Sequence, residues 1–527
     1  MLRSKTCLGG MVTAPHHLAA EAGAAVLREG GNAIEAMIAS AAAIAVVYPH
    51  MNAIGGDGFW LVSRAGKPPV GIRACGPAAG LADFDFYKSH VDAAIPTRGP
   101  RAALTVAGAI GGWAKAKEVA EECGGTLPIS RLLAPAQHHA AEGVPITVSQ
   151  ERLTKEKWDE LKDVPGFAET FAADGLPKEG KVLKQPALAS TFARLIEAGL
   201  DDFYRGDLAR SLAAGLEKVG SPVRLADLES YRAKLVEPAE TSLGVGRVFN
   251  MPPPTQGVSS LMILRLCEKL NPKSAESFEH VHAAVEATKR AFILRNAALG
   301  DPDRMGDVWK DWLGDAVIDR ESKLIDMQAA APWPHPAAEG DTIWMGAIDK
   351  DGNAVSYIQS IFWEFGSGIV VPETGVLWQN RGASFTLFPG PNELGPGRLP
   401  FHTLNPAMAL LSDGRTLSYG TMGGEGQPQT QAAIFTRHVL FGQDMQAAVA
   451  APRWLLGKTW GAASTNLKLE SRFDTAVIEA LRKAGHDVEV VGDYEDMMGH
   501  AGMVSIAPDG VIRGATDPRA DGNCSTC

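Results

Sequence analysis

Gly340-Asp341-Thr342-Ile343-Trp344-Met345-Gly346-Ala347-Ile348-Asp349, then Lys350-Asp351-Gly352-Asn353, then Ala354-Val355-Ser356-Tyr357-Ile358-Gln359-Ser360, reads as a β-hairpin. Two apolar runs with little charge flank an Asp-Gly turn, the strongest short-range hairpin signal a sequence holds. The two-residue period of a strand sets Thr342, Trp344 and Gly346 on one face. Propensity by itself gives Thr342 no special standing.

Upstream of the hairpin, Asp319 to Glu339 is the least structured interior stretch. From Ala329 it runs Ala-Ala-Ala-Pro-Trp-Pro-His-Pro-Ala-Ala-Glu and reads as an exposed linker, the kind of place where a chain is cut. Further back the pattern is helical. Leu18 to Arg28 stops at Gly30-Gly31-Asn32, Ala33 to Val47 ends before Pro49, and Ala107 to Glu122, Ile129 to Glu142, Val258 to Leu270 and His280 to Leu294 follow. Ile54-Gly55-Gly56-Asp57-Gly58-Phe59 enters a strand through a glycine-rich turn whose spacing is not that of a dinucleotide fingerprint. Val70 to Arg73 is its hairpin partner, which puts Arg73 at a strand end. Downstream the chain is strand-rich through Ala407 to Leu411, then reaches Gly420-Thr421-Met422-Gly423-Gly424 and a helix from Thr430 to Leu440.

The bulk composition narrows the function. The 527 residues are 45% hydrophobic and 21% charged, with a net charge of -11 and no long like-charge run, which argues against nucleic acid or an anionic membrane as partner. Ala36 to Pro49, the longest apolar run, is too short to span a bilayer. No apolar core follows the basic N-terminus as in a secretory signal, so a cytoplasmic location is expected. Six cysteines in so long a chain do not make a disulfide framework. Cys524-Ser525-Thr526-Cys527 reads as a frayed tail rather than a metal or redox motif. His280, His282 and Glu286 lack the HExxH spacing and read as capping and surface residues, so no metal is expected. No GxSxG elbow occurs, which argues against a serine hydrolase of the usual α/β kind.

Several motifs occur together and in order: Leu27-Arg28-Glu29-Gly30-Gly31-Asn32-Ala33, Ile54 to Phe59, Tyr204-Arg205-Gly206-Asp207, Met251-Pro252-Pro253-Pro254, Gly366-Ser367-Gly368, Thr421 to Gly424 and Thr516-Asp517-Pro518-Arg519. On these the chain resembles the γ-glutamyltransferase family of N-terminal-nucleophile hydrolases, from roughly Gly10 to Arg519. The resemblance implies an αββα sandwich and a precursor cut between Asp341 and Thr342. The products would be a larger fragment, 1–341, ending in a flexible linker, and a smaller one, 342–527, that stay together. A homo-oligomer of such heterodimers fits the same pattern. The chemistry explains the cut: a threonine hydroxyl needs a base, and the amine freed by cleavage, with a pKa near 8, supplies one. By the same resemblance Ser360 supports the nucleophile, Gly423 and Gly424 N–H groups form the oxyanion hole, Arg73 grips a substrate carboxylate and Asn380 lies by the substrate. No cofactor is implied.

Departures from the family pattern suggest the substrate. Phe362 and Ser384 stand where an asparagine and an aspartate hold an α-ammonium, His402 and Thr403 replace a serine pair, and Arg381 replaces a glutamine. An ammonium set against Phe362 without its carboxylate is poorly compensated. With Trp344 also expected to take up volume, the pocket reads as small, cationic and unfit for an amino acid head group. Thr342 to Gly346 with Trp378-Gln379-Asn380-Arg381-Gly382 is similar to the oxamate amidohydrolase branch of the family, which acts in purine (urate) breakdown. Hydrolysis of oxamate to oxalate and ammonia is therefore expected, the substrate carboxylate held by Arg73, Arg381 or His402. γ-Glutamyl (glutathione) hydrolysis or transfer, cephalosporin (glutaryl) acylase activity, and an uncleaved binding protein remain as alternatives.

Overall fold

The computed structural model describes residues 3–89, 94–334, 341–457 and 464–527. Two seven-stranded sheets carry the fold. In the first the strand order is Asn523–Thr526, Gly10–Ala14, Asp341–Asp349, Ala354–Phe362, Asp57–Ser63, Val70–Ala74 and Lys234–Val236, and every neighbouring pair is antiparallel. In the second it is Lys5–Cys7, Ile512–Thr516, Ala501–Ile506, Thr416–Thr421, Ala407–Leu411, Gly246–Asn250 and Ala239–Leu243, again antiparallel throughout.

Side-chain alternation builds the layers. Phe59, Leu61, Trp344, Ile348 and Ile358 of the first sheet pack against Phe249, Met408, Val504 and Ile512 of the second. The opposite face of the first sheet, with Trp60, Ile72, Ile343, Met345, Val355 and Tyr357, is covered by helices that include His17–Arg28, Ala33–Val47, Ala109–Glu122 and Ile129–Glu142. Helices Gly257–Leu270, Phe278–Ala298 and Gln427–Phe435 cover the outer face of the second. The result is an αββα sandwich. Helix Ala33–Val47 has an apolar surface all round because it is enclosed on every side. Its start is set by a capping box in which Asn32 Oδ1 accepts from the Ile34 and Glu35 N–H groups while the Glu35 carboxylate accepts from Asn32 N–H.

The hairpin lies where the sequence places it, joined by a tight turn in which the Asp349 carboxylate accepts from the Asp351 and Asn353 N–H groups. Four expectations need correction. Residues 523–526 are an edge strand paired with Gly10–Ala14, with Cys524 buried, so the tail is not frayed. His280, His282 and Glu286 are core residues, because their helix is wrapped by neighbours on both flanks. The ligating atoms of His282, Glu286 and His486 lie within 4.8 Å of one another. The imidazoles bond each other at 2.8 Å, and Lys289 supplies the cation beside Glu286 at 2.6 Å. The stretch leading to the hairpin is partly ordered: Asp315–Ser322 is helical, and Ala331 is held by Lys289 and Glu286. Residues 335–340, which complete the expected linker, lie outside the described residues. The helix expected to reach Leu440 ends its regular α-turns at Phe435 and widens into a π turn over Thr436–Leu440. Among the described residues no helix is long and apolar enough to cross a membrane.

Candidate active site

Thr342 is fully buried near the start of strand Asp341–Asp349. A register shift between Asp341 and Ile343 loosens the strand there, and Thr342 Oγ1 donates to Ser360 Oγ at 3.2 Å. Ser360 Oγ also accepts from Phe362 N–H at 2.8 Å, so the serine is fixed by the turn that follows it. The scissile position expected between Asp341 and Thr342 lies at this strand's start; of Asp341 only the backbone is described.

Strand Thr416–Thr421 from the second sheet ends in a glycine turn. Gly423 has φ +118° and Gly424 φ +49°, conformations that L side chains resist. The Met422 carbonyl accepts from Thr421 Oγ1 at 2.7 Å and the Gly423 carbonyl from Gly426 N–H at 2.7 Å. In a trans peptide the N–H points opposite its carbonyl, so the Gly423 and Gly424 N–H groups are turned away from these bonds. Among the described residues neither N–H has an acceptor. Gln256, which sequence reasoning missed, ties the turn down by donating to the Gly424 and Thr403 carbonyls at 2.8 Å each. Arg295 bonds Gln256 at 2.8 Å and Glu425 at 2.7 Å behind it. A glutamine inside a proline-rich turn carries no pattern that would have flagged it.

Asp57, directly across from Ser360 in the register, is the second support that went unassigned. Its Oδ1 accepts from Gly76 N–H, Gly108 N–H and Gln379 Nε2 at 3.0–3.1 Å, and its Oδ2 lies 3.1 Å from His402 Nε2. Burial pushes the Asp57 carboxyl up to about 7. Burial, and then the Arg381 charge, push His402 well below the ordinary imidazole value, so it is neutral. An acid set among three glycines in Gly55-Gly56-Asp57-Gly58 was the available signal.

The structure separates the remaining expected residues. Arg381 is buried with its guanidinium carbon 3.4 Å from the centre of the Phe362 ring, and its Nη1 donates to Thr403 Oγ1 at 3.2 Å. Phe362 itself has φ +83°. Asn380 is spent on the fold, accepting from Trp363 N–H at 3.1 Å and donating to the Thr97 carbonyl at 2.8 Å. Trp344 does not line a pocket wall beside Thr342. Its indole fills the layer between the sheets over Gly346, Gly420 and Gly502, and its Nε1 donates to Ser356 Oγ at 2.9 Å. Arg73 is half-buried three strands away, roughly 14 Å across the sheet. It lines an open groove of about 530 Å³ together with Glu237, Pro252, Trp309 and Lys310.

Two facing sheets between helical layers give the αββα architecture of the N-terminal-nucleophile hydrolases, enzymes that cleave amides. The gamma-glutamyltranspeptidase family matches residues 19–527, and the chain belongs to that family. It is 50% identical to the oxamate amidohydrolase proenzyme of Klebsiella pneumoniae over 99% of both chains. It is 38% identical to the glutathione hydrolase-like YwrD proenzyme of Bacillus subtilis over 97% of both. The cephalosporin acylase of Bacillus halodurans superposes with a TM-score of 0.92 at 33% identity, covering 100% of this chain and 97% of that one.

Proposed function

We propose that the chain is a precursor that cuts itself before Thr342 and then hydrolyses oxamate to oxalate and ammonia. What supports the nucleophile assignment is the buried contact of Thr342 Oγ1 with Ser360 at the start of the inner strand, together with two glycine N–H groups that have no acceptor among the described residues. The mature Thr342 Oγ attacks the amide carbon while its own amine takes the hydroxyl proton. The Gly423 and Gly424 N–H groups hold the developing oxyanion. The C–N bond breaks, ammonia leaves carrying that proton, and water then splits the oxalyl ester to free oxalate and the threonine.

Oxamate rather than a γ-glutamyl group is supported by Phe362 and Ser384 in place of ammonium-binding side chains, and by the 50% identity to a relative named for that substrate. The reaction belongs to purine (urate) breakdown in the cytoplasm. The test is a denaturing gel with N-terminal sequencing, joined to an ammonia assay over oxamate and to γ-glutamyl and glutaryl anilides. Expected are two bands, a smaller fragment beginning Thr-Ile-Trp, and ammonia from oxamate; Thr342→Ala gives one band and no ammonia. One full-length band in protein that releases ammonia sinks the mechanism. Faster turnover of either anilide sinks the substrate.

A further inference from the structure

Arg381 is a buried cation without a counterion. It is 2% exposed, its Nε has no hydrogen-bond acceptor, and among the described residues no carboxylate lies within ion-pair distance of it. The acids whose charges it feels most are already engaged. Asp57 takes three N–H donors and His402, and Glu425 is paired with Arg295. The Phe362 ring supplies attraction to one face of the guanidinium but no negative charge. Burial accordingly pushes Arg381 down to about 9, still charged at neutral pH. Leaving such a charge unpaired is costly unless something else completes it.

The place of this charge is specific. Phe362, on which the guanidinium lies, pairs with Asp341 across the hairpin and donates its N–H to the serine that touches Thr342. Thr403, which holds one end of the fork, is linked through Gln256 to the Gly424 carbonyl. One connected set of bonds therefore joins the cation, the nucleophile and the oxyanion turn. Among the described residues no hydrogen bond or ion pair ties the Arg73 side chain to this set, although its charge, like that of Arg381, reaches Cys75. Its groove lies three strands from Thr342 and carries acids of its own, Glu237, Glu240 and Asp307.

We propose that Arg381 is the residue that binds the substrate's carboxylate, the ring of Phe362 and the hydroxyl of Thr403 fixing the plane of its fork so that it takes a carboxylate bonded directly to the scissile amide carbon. Arg73 does not take part. This rests on the amidohydrolase reading above and adds the substrate class: monoamides of the oxalate type, in which the carboxylate carbon is bonded directly to the amide carbon. A planar fork suits two parallel N–H···O bonds to a carboxylate, which a lysine cannot supply. It also explains the loss of the ammonium site, since a cation at Arg381 repels an α-ammonium.

The experiment is oxalate titration of the self-cleaved protein by calorimetry, alongside turnover of oxamate and of its neutral counterpart oxamide. In the unsubstituted protein oxalate binds. Arg381→Met should weaken oxalate binding by thirtyfold or more and lower kcat/KM for oxamate at least a hundredfold, and kcat/KM for oxamide by a factor at least ten times smaller. Arg73→Met should leave oxalate affinity within threefold. Oxalate binding unaltered by Arg381→Met, or lost instead in Arg73→Met, overturns the assignment, as does absence of oxalate binding in the unsubstituted protein. If Arg381→Met fails to cleave itself, Arg381→Lys, which keeps the charge and loses the fork, takes its place; unchanged affinity there also overturns it. Oxalate bound through Arg381 in a protein that releases no ammonia from oxamate supports this assignment and refutes the reaction.

Discussion

A threonine hydroxyl becomes a useful nucleophile through the groups around it, and two of those groups yield predictions for single residues. Ser360 bonds both Thr342 Oγ1 and Phe362 N–H. Ser360→Ala removes a partner of the Thr342 hydroxyl and takes the acceptor from the buried Phe362 N–H, a loss of about 1–3 kcal/mol. Self-cleavage, followed on denaturing gels, should slow at least tenfold, and Ser360→Thr should restore it. Gly423 sits at φ +118°, ψ 39°, where an alanine is strained by about 1–3 kcal/mol. Gly423→Ala relieves that strain by turning the peptide, which would move an N–H away from the proposed oxyanion. Because the donor acts on charge present only in the transition state, kcat should fall roughly a hundredfold with KM nearly unchanged. Steady-state kinetics on oxamate read both values; a change confined to KM would contradict the oxyanion role.

At the scale of elements the decisive contact is one indole between two sheets. A Cβ added at Gly420 would stand 2.3 Å from Trp344 Cδ1, and one at Gly502 would stand 2.4 Å from its Cζ3. The strand carrying Thr342 is thus keyed to the strand that runs into the Gly423-Gly424 turn. Gly502→Ala should overpack this layer and cost about 1–3 kcal/mol, read as a lowered Tm. Trp344→Phe in the same chain should recover part of the loss, since the two positions share one volume. The same contact shows where sequence reading stops. Alternation put Trp344 on the right face of its strand, but periodicity does not say what lies opposite, so the indole was assigned to a pocket. The hairpin and the capped helices were legible because their signals are local: an Asp-Gly turn, and Asn32 with Glu35. Strand 523–526 was not, because its order comes from pairing with residues 10–14 at the other end of the chain. Arg381 stood out as a charge in an unexpected place. Its stacking on Phe362 depends on a turn with φ +83°, which no spacing rule anticipates.

Strands from both sides of Thr342 are interleaved in both sheets, so the proposed cut before Thr342 would leave the two fragments joined. In the first sheet, strands 341–349 and 354–362 lie between Gly10–Ala14 on one side and Asp57–Ser63 on the other. In the second, four strands from 407–516 lie between Lys5–Cys7 and Gly246–Asn250. Gly10–Ala14 also pairs with Asn523–Thr526, so parting the fragments would break five ladders among the described residues, and they should co-elute by size exclusion in buffer and separate only in denaturant. Acid should reach the fold by another route. Arg453 and Arg519 bracket the buried Asp517, Arg519 also holds Glu470, and Asp517 accepts from Ala501 N–H at 2.7 Å. Burial alone would raise the Asp517 carboxyl, but the two guanidinium groups outweigh it and hold the group at about 2. With an unfolded value near 4, the folded state binds fewer protons between these limits. Its contribution, about 2–3 kcal/mol, is therefore complete above pH ~4 and is lost as pH falls toward ~2. Asp517→Asn leaves two buried arginines with one carboxylate between them, and should lower stability by about 3–5 kcal/mol at neutral pH. Thermal melts from pH 7 down to pH 2 measure both effects: the variant starts lower and loses less across the acid range, whereas parallel curves for the two proteins would place the acid sensitivity in other carboxylates.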